Sequence, residues 1–310
     1  MKTITVEHMF EDCTEDSAFC GNAPGKIDVD SIYDGKESLK VLREDGSTLA
    51  VLVRNAFTKE ETKSYFSTIL NNGAITTTNN RGTSSGQKLV KSVKEDGTVS
   101  NTGRTEKSIE SSIVGYFDRY PRINYCRKTS WTQKNPEHWN KIIPYVEKVD
   151  QIYKQYCPEV YAQQRAVVNK TSPDFLIGDS SYTTITLNRN FRTHYHRDAG
   201  NLHEGFAAMN YLKLGKFVGG EVVFPNYRIG VKLTNHDLII FDNVEIHGNL
   251  PIVSVRGSDY SRVTSVFFYR KNMIYCGTAE QELERAKRNK GDQIIGPVTE
   301  DLNDGQFNRG

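Results

Sequence analysis

Short apolar runs that alternate with polar positions dominate the second half of the chain. They begin after Pro173 and continue to about Tyr275. Short strands separated by turns are typical of a β-sandwich or jelly roll. The predicted strands are Phe175–Ile177, Tyr182–Leu187, Ala207–Leu212, Glu221–Phe224, Leu238–Phe241 and Val263–Tyr269. We therefore expect a mainly β core within an α+β fold, spanning about residues 175–275.

Helical spacing replaces this alternation in the first half. Thr58 is followed three residues later by Glu61, which is the pattern of a capping box, and apolar residues then recur every three to four positions. A longer helix is predicted over about 137–157, and a second one follows at about 159–169. We expect the helices and loops of residues 58–170 to support the β core.

The remaining stretches divide the chain into three regions. Residues 1–37 have poor periodicity, which predicts an irregular N-terminal extension. Residues 38–278 are expected to form one domain, which opens with a predicted hairpin at Ser38–Phe57. The stretch 74–112 is rich in Thr, Ser, Asn and Gly, and predicts a functional or mobile loop. Residues 279–310 predict a charged surface helix and a frayed tail.

Composition and charge exclude several classes of protein. The 310 residues are 37% hydrophobic and 25% charged, which is a soluble globular balance. No apolar run reaches the roughly 18 residues of a membrane helix, and the N-terminus lacks the apolar core of a secretion signal. We expect a cytoplasmic protein, or a nuclear one in a eukaryote, with no membrane partner. The net charge of +2 requires any nucleic-acid surface to be local, and the oligomeric state stays open.

The five cysteines predict reduced thiols. They are odd in number, widely spaced, and form no CxxC pair. This pattern indicates neither a disulfide framework nor a zinc module. The cysteines are Cys13, Cys20, Cys126, Cys157 and Cys276.

Two histidines and a carboxylate form the strongest chemical pattern. His196 and Asp198 are two residues apart, so on a strand both side chains face the same side. His247 lies several predicted strands later, and a jelly roll can return it to this pair. Two imidazoles and one carboxylate that leave coordination positions open are the ligand set of non-haem Fe(II) oxygenases. We therefore expect a metal site formed by these three residues.

A cation close to the last predicted strand completes the pattern. Arg262 precedes an apolar run, and an arginine that faces into a barrel needs an anion. A guanidinium holds a carboxylate through two parallel hydrogen bonds. Thr264 lies on the same face and offers a hydroxyl to the same carboxylate. Arg256, in a polar loop, is the competing cation.

Other histidines compete for the metal. His194 is an alternative to His196, and His203 and His236 are alternatives to the distal His247. Asp198 can also serve as a turn cap before a glycine. The order of the HxD pair, the Gly219–Pro225 segment, a lone histidine and Arg-x-Thr favours the iron site over these structural roles.

These motifs, within about 182–269, resemble the Fe(II)- and 2-oxoglutarate-dependent dioxygenases. The resemblance implies a double-stranded β-helix, or jelly roll, with helices packed on one sheet. It implies Fe(II) as cofactor and 2-oxoglutarate and O2 as co-substrates, for hydroxylation of a C–H bond. It also implies that iron is held by His196, Asp198 and His247, and 2-oxoglutarate by Arg262 and Thr264.

A narrower set of motifs resembles the TET/JBP group, which oxidises the 5-methyl group of pyrimidines in DNA. The set comprises Ile113–Arg119, Tyr125–Arg127, His196-x-Asp198-x-x-Asn201 and the loop at Arg81-Gly82. This resemblance implies DNA as a partner and 5-methylcytosine or thymine as the target base. It also implies that Asn201 faces a flipped base. An asparagine amide both donates and accepts, so it does not distinguish the two bases.

Basic and aromatic residues are interleaved before the long helix, a composition that suits a polyanion or stacked bases. The predicted DNA contacts are Arg119, Tyr125, Arg127 and Trp131. The alternative interpretation is a solvated surface over core aromatics. Two other functions remain open from the sequence. One is a hydroxylase of a protein side chain or small metabolite, and the other is a β-sandwich binding module without catalysis.

Overall fold

The computed structural model describes residues 1–9, 19–93, 98–120 and 123–291. The strands are β1 (Lys2–Val6), β2 (Ser31–Tyr33), β3 (Leu39–Arg43), β4 (Thr48–Val53), β5 (Thr77–Thr78), β6 (Leu89–Val93), β7 (Val99–Thr105), β8 (Ile109–Phe117), β9 (Arg127–Lys128), β10 (Thr184–Arg189), β11 (Ala207–Gly215), β12 (Phe217–Val218), β13 (Val222–Phe224), β14 (Ile229–Val231), β15 (Leu238–Phe241), β16 (Gly248–Asn249), β17 (Val253–Ser254) and β18 (Tyr260–Phe268). The α-helices are α1 (Lys59–Asn71), α2 (Ser130–Lys134), α3 (Pro136–Tyr156), α4 (Pro158–Val168) and α5 (Ala279–Gly291).

Two sheets form the expected jelly roll. The larger has the order β1-β3-β4-β15-β11-β18-β10-β8-β5, with β9 paired to β8. The smaller has the order β16-β13-β14-β2. One apolar cluster joins the sheets and includes Met209, Phe224 and Phe241. The predicted fold class is confirmed, and the larger sheet also recruits strands that lie before the expected core at 175–275.

Alternation along β18 separates the two sides of the larger sheet. Val263 and Phe267 pack into the cluster that holds the helices. Arg262, Thr264 and Phe268 face the cavity between the sheets. Because successive side chains of a strand point to opposite faces, this register determines which residues of β18 can contact a ligand.

The helices cover the opposite face of the larger sheet, as expected. Tyr65 of α1 and Trp139 and Tyr153 of α3 are buried in the helix-side cluster. The predicted capping box is also confirmed. The backbone N–H of Glu61 donates to the Thr58 hydroxyl at 3.1 Å, and the N–H of Thr58 donates to the Glu61 carboxylate at 2.8 Å.

The described part of the first 37 residues, 1–9 and 19–37, contains two strands where the sequence predicts an irregular arm. β1 pairs in parallel with β3, and β2 pairs in parallel with β14, so this segment contributes to both sheets. Both strands lie at sheet edges and leave most side chains exposed or half-exposed. A strand held mainly by backbone hydrogen bonds needs no apolar alternation, which is why the pattern missed it. The division into three regions stays a prediction.

Two further expectations about local structure are wrong. The polar stretch 74–112 contains β5, β6, β7 and the start of β8, and β6 pairs with β7 in a separate hairpin. Threonine is β-branched and favours strands, so polar composition alone did not exclude them. The strand predicted at Phe175–Ile177 is replaced by a 3-10 helix at Pro173–Phe175. Proline at its first position has a φ that suits this helix.

A disulfide joins Cys126 to Cys276 across 150 residues of sequence. The expectation of five reduced thiols is therefore wrong for this pair. Cysteine spacing does not reveal a pairing that depends on the proximity of two distant segments. Cys20 and Cys157 are free, and Cys13 lies outside the described residues. None of the described helices is both long and apolar enough to cross a membrane.

Candidate metal and co-substrate site

Three potential metal ligands converge on the cavity between the sheets. Each of His196, Asp198 and His247 offers one ligand atom, and these atoms lie within 4.8 Å of one another. Oδ1 of Asp198 is 3.5 Å from Nε2 of His196, and Oδ2 is 4.0 Å from Nε2 of His247. An isolated antiparallel bridge pairs the backbones of the two histidines. The fold thus brings the distal histidine beside the HxD pair, as the sequence predicts.

Backbone carbonyls orient both imidazoles of the cluster. Nδ1 of His196 lies 2.8 Å from the carbonyl oxygen of His194, and Nδ1 of His247 lies 2.8 Å from that of Glu245. A carbonyl only accepts, so Nδ1 carries the hydrogen in each ring. Nε2 then keeps its lone pair for a metal. The donor set and its orientation therefore fit Fe(II).

The charges of the cluster also suit a metal. Burial alone opposes ionisation of Asp198, but hydrogen bonding to His196 and the nearby His247 hold the pKa of this carboxyl below its usual range. Burial, together with the neighbouring His196, lowers the pKa of His247. Burial acts in the same direction on His196, but Asp198 outweighs it and raises that pKa. An ionised carboxylate and a neutral distal imidazole are the forms that bind a cation.

The competing histidines do not join the cluster. Nδ1 of His194 contacts the carbonyl of Gly21 at 2.8 Å. Nδ1 of His236 contacts the Thr62 hydroxyl at 2.7 Å, beside helix α1. His203 is exposed and does not line the cavity. Among the residues that the structure describes, His196, Asp198 and His247 are the one group with metal-ligand geometry.

Arg262 lies in the same cavity as the metal cluster and is 4% exposed. Its Nη2 donates to the carbonyl of Gly220 at 2.9 Å, while its buried Nε has no hydrogen-bond partner among the residues that the structure describes. No carboxylate within the described ranges pairs with it, and burial lowers its pKa to about 10. A buried cation with an unused donor needs an anion. The site therefore fits one carboxylate of 2-oxoglutarate, with the Thr264 hydroxyl on the same wall.

Arg256 is excluded from this role by its position. It is exposed, has a φ of 52°, and does not line the cavity. Arg262, by contrast, lies inside β18 as its third residue, whereas the sequence places it just before the strand. The inward register of the strand therefore decides between the two arginines.

The cavity connects the metal cluster to Arg262 and has a volume of about 180 Å³. One water needs about 10–15 Å³ on this scale, so a small dicarboxylate fits. Met209, Val222, Phe241 and Phe268 supply apolar walls. These walls limit access of water to any group bound between the two ends.

Sequence reasoning missed a polar chain on the cavity wall. Nη1 of Arg81 donates to the Ser111 hydroxyl at 2.8 Å, and this hydroxyl donates to Oδ1 of Asn188 at 2.6 Å. Asn188 and Arg81 both line the cavity. The sequence of β10 contained a signal for this polar wall, because Thr186 and Asn188 alternate with Ile185 and Leu187. Both sets are buried, so the polar face of this strand must line an internal space.

Arg270 is a further cavity residue that the sequence did not single out. Its Nε donates to Oδ1 of Asp118 at 2.8 Å, in a largely buried ion pair. It continues the inward face of β18 beyond Phe268, and its backbone forms a bridge with Asn201. Two residues separated by sixty-nine positions therefore meet on one wall.

The predicted DNA-contacting residues have different positions. Asn201 lines the cavity, and its Nδ2 donates to Oδ2 of Asp198 at 3.1 Å. Arg119 forms an ion pair with the buried carboxylate of Glu282. The guanidinium of Arg127 lies 4.9 Å from the ring centre of Phe117.

The two predicted aromatic contacts lie outside the cavity as well. The ring of Tyr125 is 6.0 Å from the guanidinium of Arg127. Trp131 donates from Nε1 to the carbonyl of Asn72 at 2.8 Å and lines a neighbouring groove. The structure therefore brings Asn201 to the metal cluster and leaves the other four residues away from it. Their contact with DNA stays a prediction.

Several known proteins are similar to this chain. Residues 112–271 match the Tet_JBP family model, described as the oxygenase domain of the 2OGFeDO superfamily. Thymine dioxygenase JBP1 of Leishmania braziliensis is 32% identical over 196 residues, which are 62% of this chain and 24% of that protein. Thymine dioxygenase JBP1-A of Trypanosoma cruzi (strain CL Brener) is 35% identical over 184 residues, 57% and 22% of the two chains. The chain thus spans about a quarter of the length of these relatives.

A solved structure shares the fold. NgTET1 in complex with 5mC DNA superposes with a TM-score of 0.52 at 14% sequence identity. The match covers 83% of this chain and 89% of that one. The likeness therefore covers a larger share of the chain than the residues that the family model matches.

Proposed function

The chain belongs to the Tet_JBP family of Fe(II)- and 2-oxoglutarate-dependent oxygenases, and from this premise we propose that it hydroxylates the 5-methyl group of a pyrimidine base in DNA. One observation carries the proposal. A single cavity holds a His-Asp-His cluster at one end and Arg262, a buried cation without a carboxylate partner among the described residues, at the other. The curated relatives are named thymine dioxygenases, which supports a pyrimidine methyl group as the target.

Each end of the cavity has a separate task. His196, Asp198 and His247 hold the iron, and Arg262 with Thr264 holds the distal carboxylate of 2-oxoglutarate. Bound iron supplies the activation of O2 that hydroxylation of a methyl C–H bond requires. The apolar walls keep water away from the reacting atoms. The methyl group has to enter between these two ends.

A base within duplex DNA cannot reach an enclosed cavity, so the target nucleotide is flipped out of the helix. Asn201 and Arg270 lie together on one wall. This wall carries an amide and a guanidinium, and the thymine dioxygenase names of the curated relatives favour thymine over 5-methylcytosine as the target base.

Nucleoside analysis tests the proposal directly. The purified protein is loaded anaerobically with Fe(II) and then given 2-oxoglutarate, ascorbate, O2 and one of three duplexes. The first duplex contains thymine. The second contains 5-methylcytosine and has uracil in place of every thymine. The third has uracil in place of every thymine and contains no 5-methylcytosine. We expect 5-hydroxymethyluracil from the first duplex, less 5-hydroxymethylcytosine from the second, and no product from the third, with succinate formed in step.

The Asp198→Ala variant, which removes one ligand, is the matched negative control. Absence of both hydroxymethyl nucleosides, with succinate released only on addition of peptides or small metabolites, would overturn the DNA assignment. That result would favour the alternative hydroxylase function that the near-neutral charge of the chain also permits.

A further inference from the structure

A polar groove lies directly beside the active-site cavity. Strands β5 and β8, the end of α1 and the short helix α2 form its walls. Arg81 and Ile113 line both the groove and the cavity, so the two spaces adjoin. Ser111 lines the groove and contacts Asn188 on the cavity side. A ligand that leaves the cavity past Arg81 therefore enters this groove.

The side chains of the groove suit an anion. None of the described residues that line it is acidic, although the chain contains 38 Asp and Glu residues. Two are cations, Arg81 and Lys134. Most of the others carry a hydroxyl or an amide: Asn72, Thr76, Thr78, Asn80, Ser111, Ser112, Thr129, Ser130 and Asn135. Arginine, lysine, serine, threonine and asparagine side chains are the usual partners of phosphate oxygens in nucleic-acid complexes.

Lys134 and Trp131, which both line the groove, are well placed for such a ligand. Lys134 is exposed and forms no ion pair within the parts of the chain that the structure describes. Trp131 is half-buried, and its hydrogen bond to Asn72 restrains the ring. A restrained aromatic ring beside a cationic groove is the arrangement that single nucleic-acid strands use for sugar and base contacts.

We propose that this groove holds the sugar-phosphate backbone of the DNA strand next to the flipped nucleotide. The target base occupies the cavity, its phosphate passes the Arg81 and Ser111 edge, and the adjoining phosphate lies near Lys134. Flipping moves the base while the strand stays connected on both sides, so a path for the strand must begin at the mouth of the cavity. The proposal deepens the proposed function and depends on it.

This path differs from the one that the sequence predicts. Arg119 is engaged by a buried carboxylate, and the Arg127 guanidinium packs between aromatic rings. Burial lowers the pKa of Arg127. Lys134 and Thr76 of the groove are, by contrast, exposed, and Ser112 and Ser130 are half-exposed. We therefore place the phosphate contacts in the groove, while contact of Arg119 and Arg127 with DNA stays a prediction.

Charge reversal at one lysine tests the path. The full chain carrying Lys134→Glu is compared with Lys154→Glu, which reverses an exposed lysine in the last turn of α3 that does not line the groove. Binding of a labelled thymine duplex is measured by fluorescence anisotropy at several salt concentrations. We expect Lys134→Glu to weaken binding about tenfold and to reduce the salt slope by about 1. We expect Lys154→Glu to stay within about twofold of the parent.

Further measurements separate this loss from damage to the fold or the active site. The thermal midpoint and the affinity for 2-oxoglutarate should be unchanged in both variants. A duplex with 5-iodouracil beside the target thymine should photo-crosslink to the peptide that contains Trp131. The proposal that the groove holds the DNA backbone would be overturned if the two variants bound DNA with equal affinity. It would also be overturned if the crosslink fell on β12 or β17. Either result would count even if the parent protein oxidises DNA. A parent protein that neither binds nor oxidises DNA would overturn the proposed function itself, and the groove with it.

Discussion

The side-chain amide of Asn201 donates a hydrogen bond of 3.1 Å to Oδ2 of Asp198, the carboxylate of the metal cluster. The backbone N–H of Asn201 also donates to the carbonyl of Asp198 at 3.0 Å. The residue that the sequence predicts as a base contact therefore also holds the carboxylate proposed as an iron ligand. One amide thus connects the wall predicted to face the base with the proposed metal cluster.

Removing this amide should weaken the metal site. We expect Asn201→Ala to lower Fe(II) affinity about 10- to 100-fold, because residues that orient a ligand contribute that much. Anaerobic titration with a competing chelator measures the change. Asn140→Ala alters an exposed asparagine of α3 and serves as the control. Equal Fe(II) affinity of the two variants would contradict this role for Asn201.

Asn188 should contribute to binding of 2-oxoglutarate. Its Oδ1 accepts from Ser111, which leaves the Nδ2 donors for an acceptor in the cavity beside Thr264, its partner in the strand register. Asn188→Asp replaces these donors with a carboxylate of the same shape. We expect the dissociation constant for 2-oxoglutarate to rise about tenfold or more, as loss of a charge-assisted hydrogen bond implies. Anaerobic calorimetry of the Fe(II) protein measures it.

The adjacent serines provide a matched test of how Asn188 is oriented. Ser111→Ala removes the hydroxyl that holds Oδ1 and should give a smaller loss of 2-oxoglutarate affinity than Asn188→Asp. Ser112→Ala removes a hydroxyl that contacts Thr76 instead and should give none. Equal affinities in the two serine variants would show that Ser111 does not orient the amide.

Arg262 and Arg256 should differ sharply as determinants of 2-oxoglutarate binding. Arg262→Gln leaves the distal carboxylate without its cation, and we expect a loss of about 3 kcal/mol, or more than a hundredfold in affinity. Arg256→Gln changes an exposed turn residue and should have no effect. The melting temperature without 2-oxoglutarate should not fall in Arg262→Gln, because the change removes a buried charge that lacks a carboxylate partner among the described residues. Equal 2-oxoglutarate affinities would exclude the clamp.

Glu282 should make the attachment of α5 sensitive to acid. Its buried carboxylate accepts from the N–H groups of Cys126 and Gly277, both at 2.8 Å, and from Arg119. Burial opposes its ionisation, but these donors outweigh burial and lower the pKa of Glu282. The stabilisation is therefore complete above the unfolded value of about 4.3 and is lost as pH falls through the folded value.

Thermal melts across pH measure this effect. Glu282→Gln should melt below the parent at neutral pH, and the difference should close as pH falls below about 4. Glu284→Gln changes an exposed carboxylate of the same helix that pairs with Lys287, and its difference from the parent should be small throughout. A difference for Glu282→Gln that grows on acidification would reverse the sign of the argument.

Local sequence patterns predicted much of the fold. The capping box at Thr58 and Glu61 and the spacing over 137–157 depend on contacts three or four residues apart, so their helices were predictable. The edge strands β1 and β2 were not, because backbone pairing with distant strands holds them and their side chains stay largely exposed. The Cys126–Cys276 bond was missed for the same reason, since its halves are 150 residues apart.

The sequence by itself determined the chemistry of the site. Residue type and order are enough to propose His196, Asp198 and His247 as ligands and an arginine near the last strand as a carboxylate clamp, because these groups have few other uses in that order. Only the tertiary structure decided between Arg262 and Arg256, since the inward register of β18 makes that choice. It also placed Asn188 and Arg270 on the wall of the cavity, and the groove that contains Lys134 next to that cavity. These residues belong to strands and helices far apart in the chain, so no local sequence pattern could predict that they lie close together.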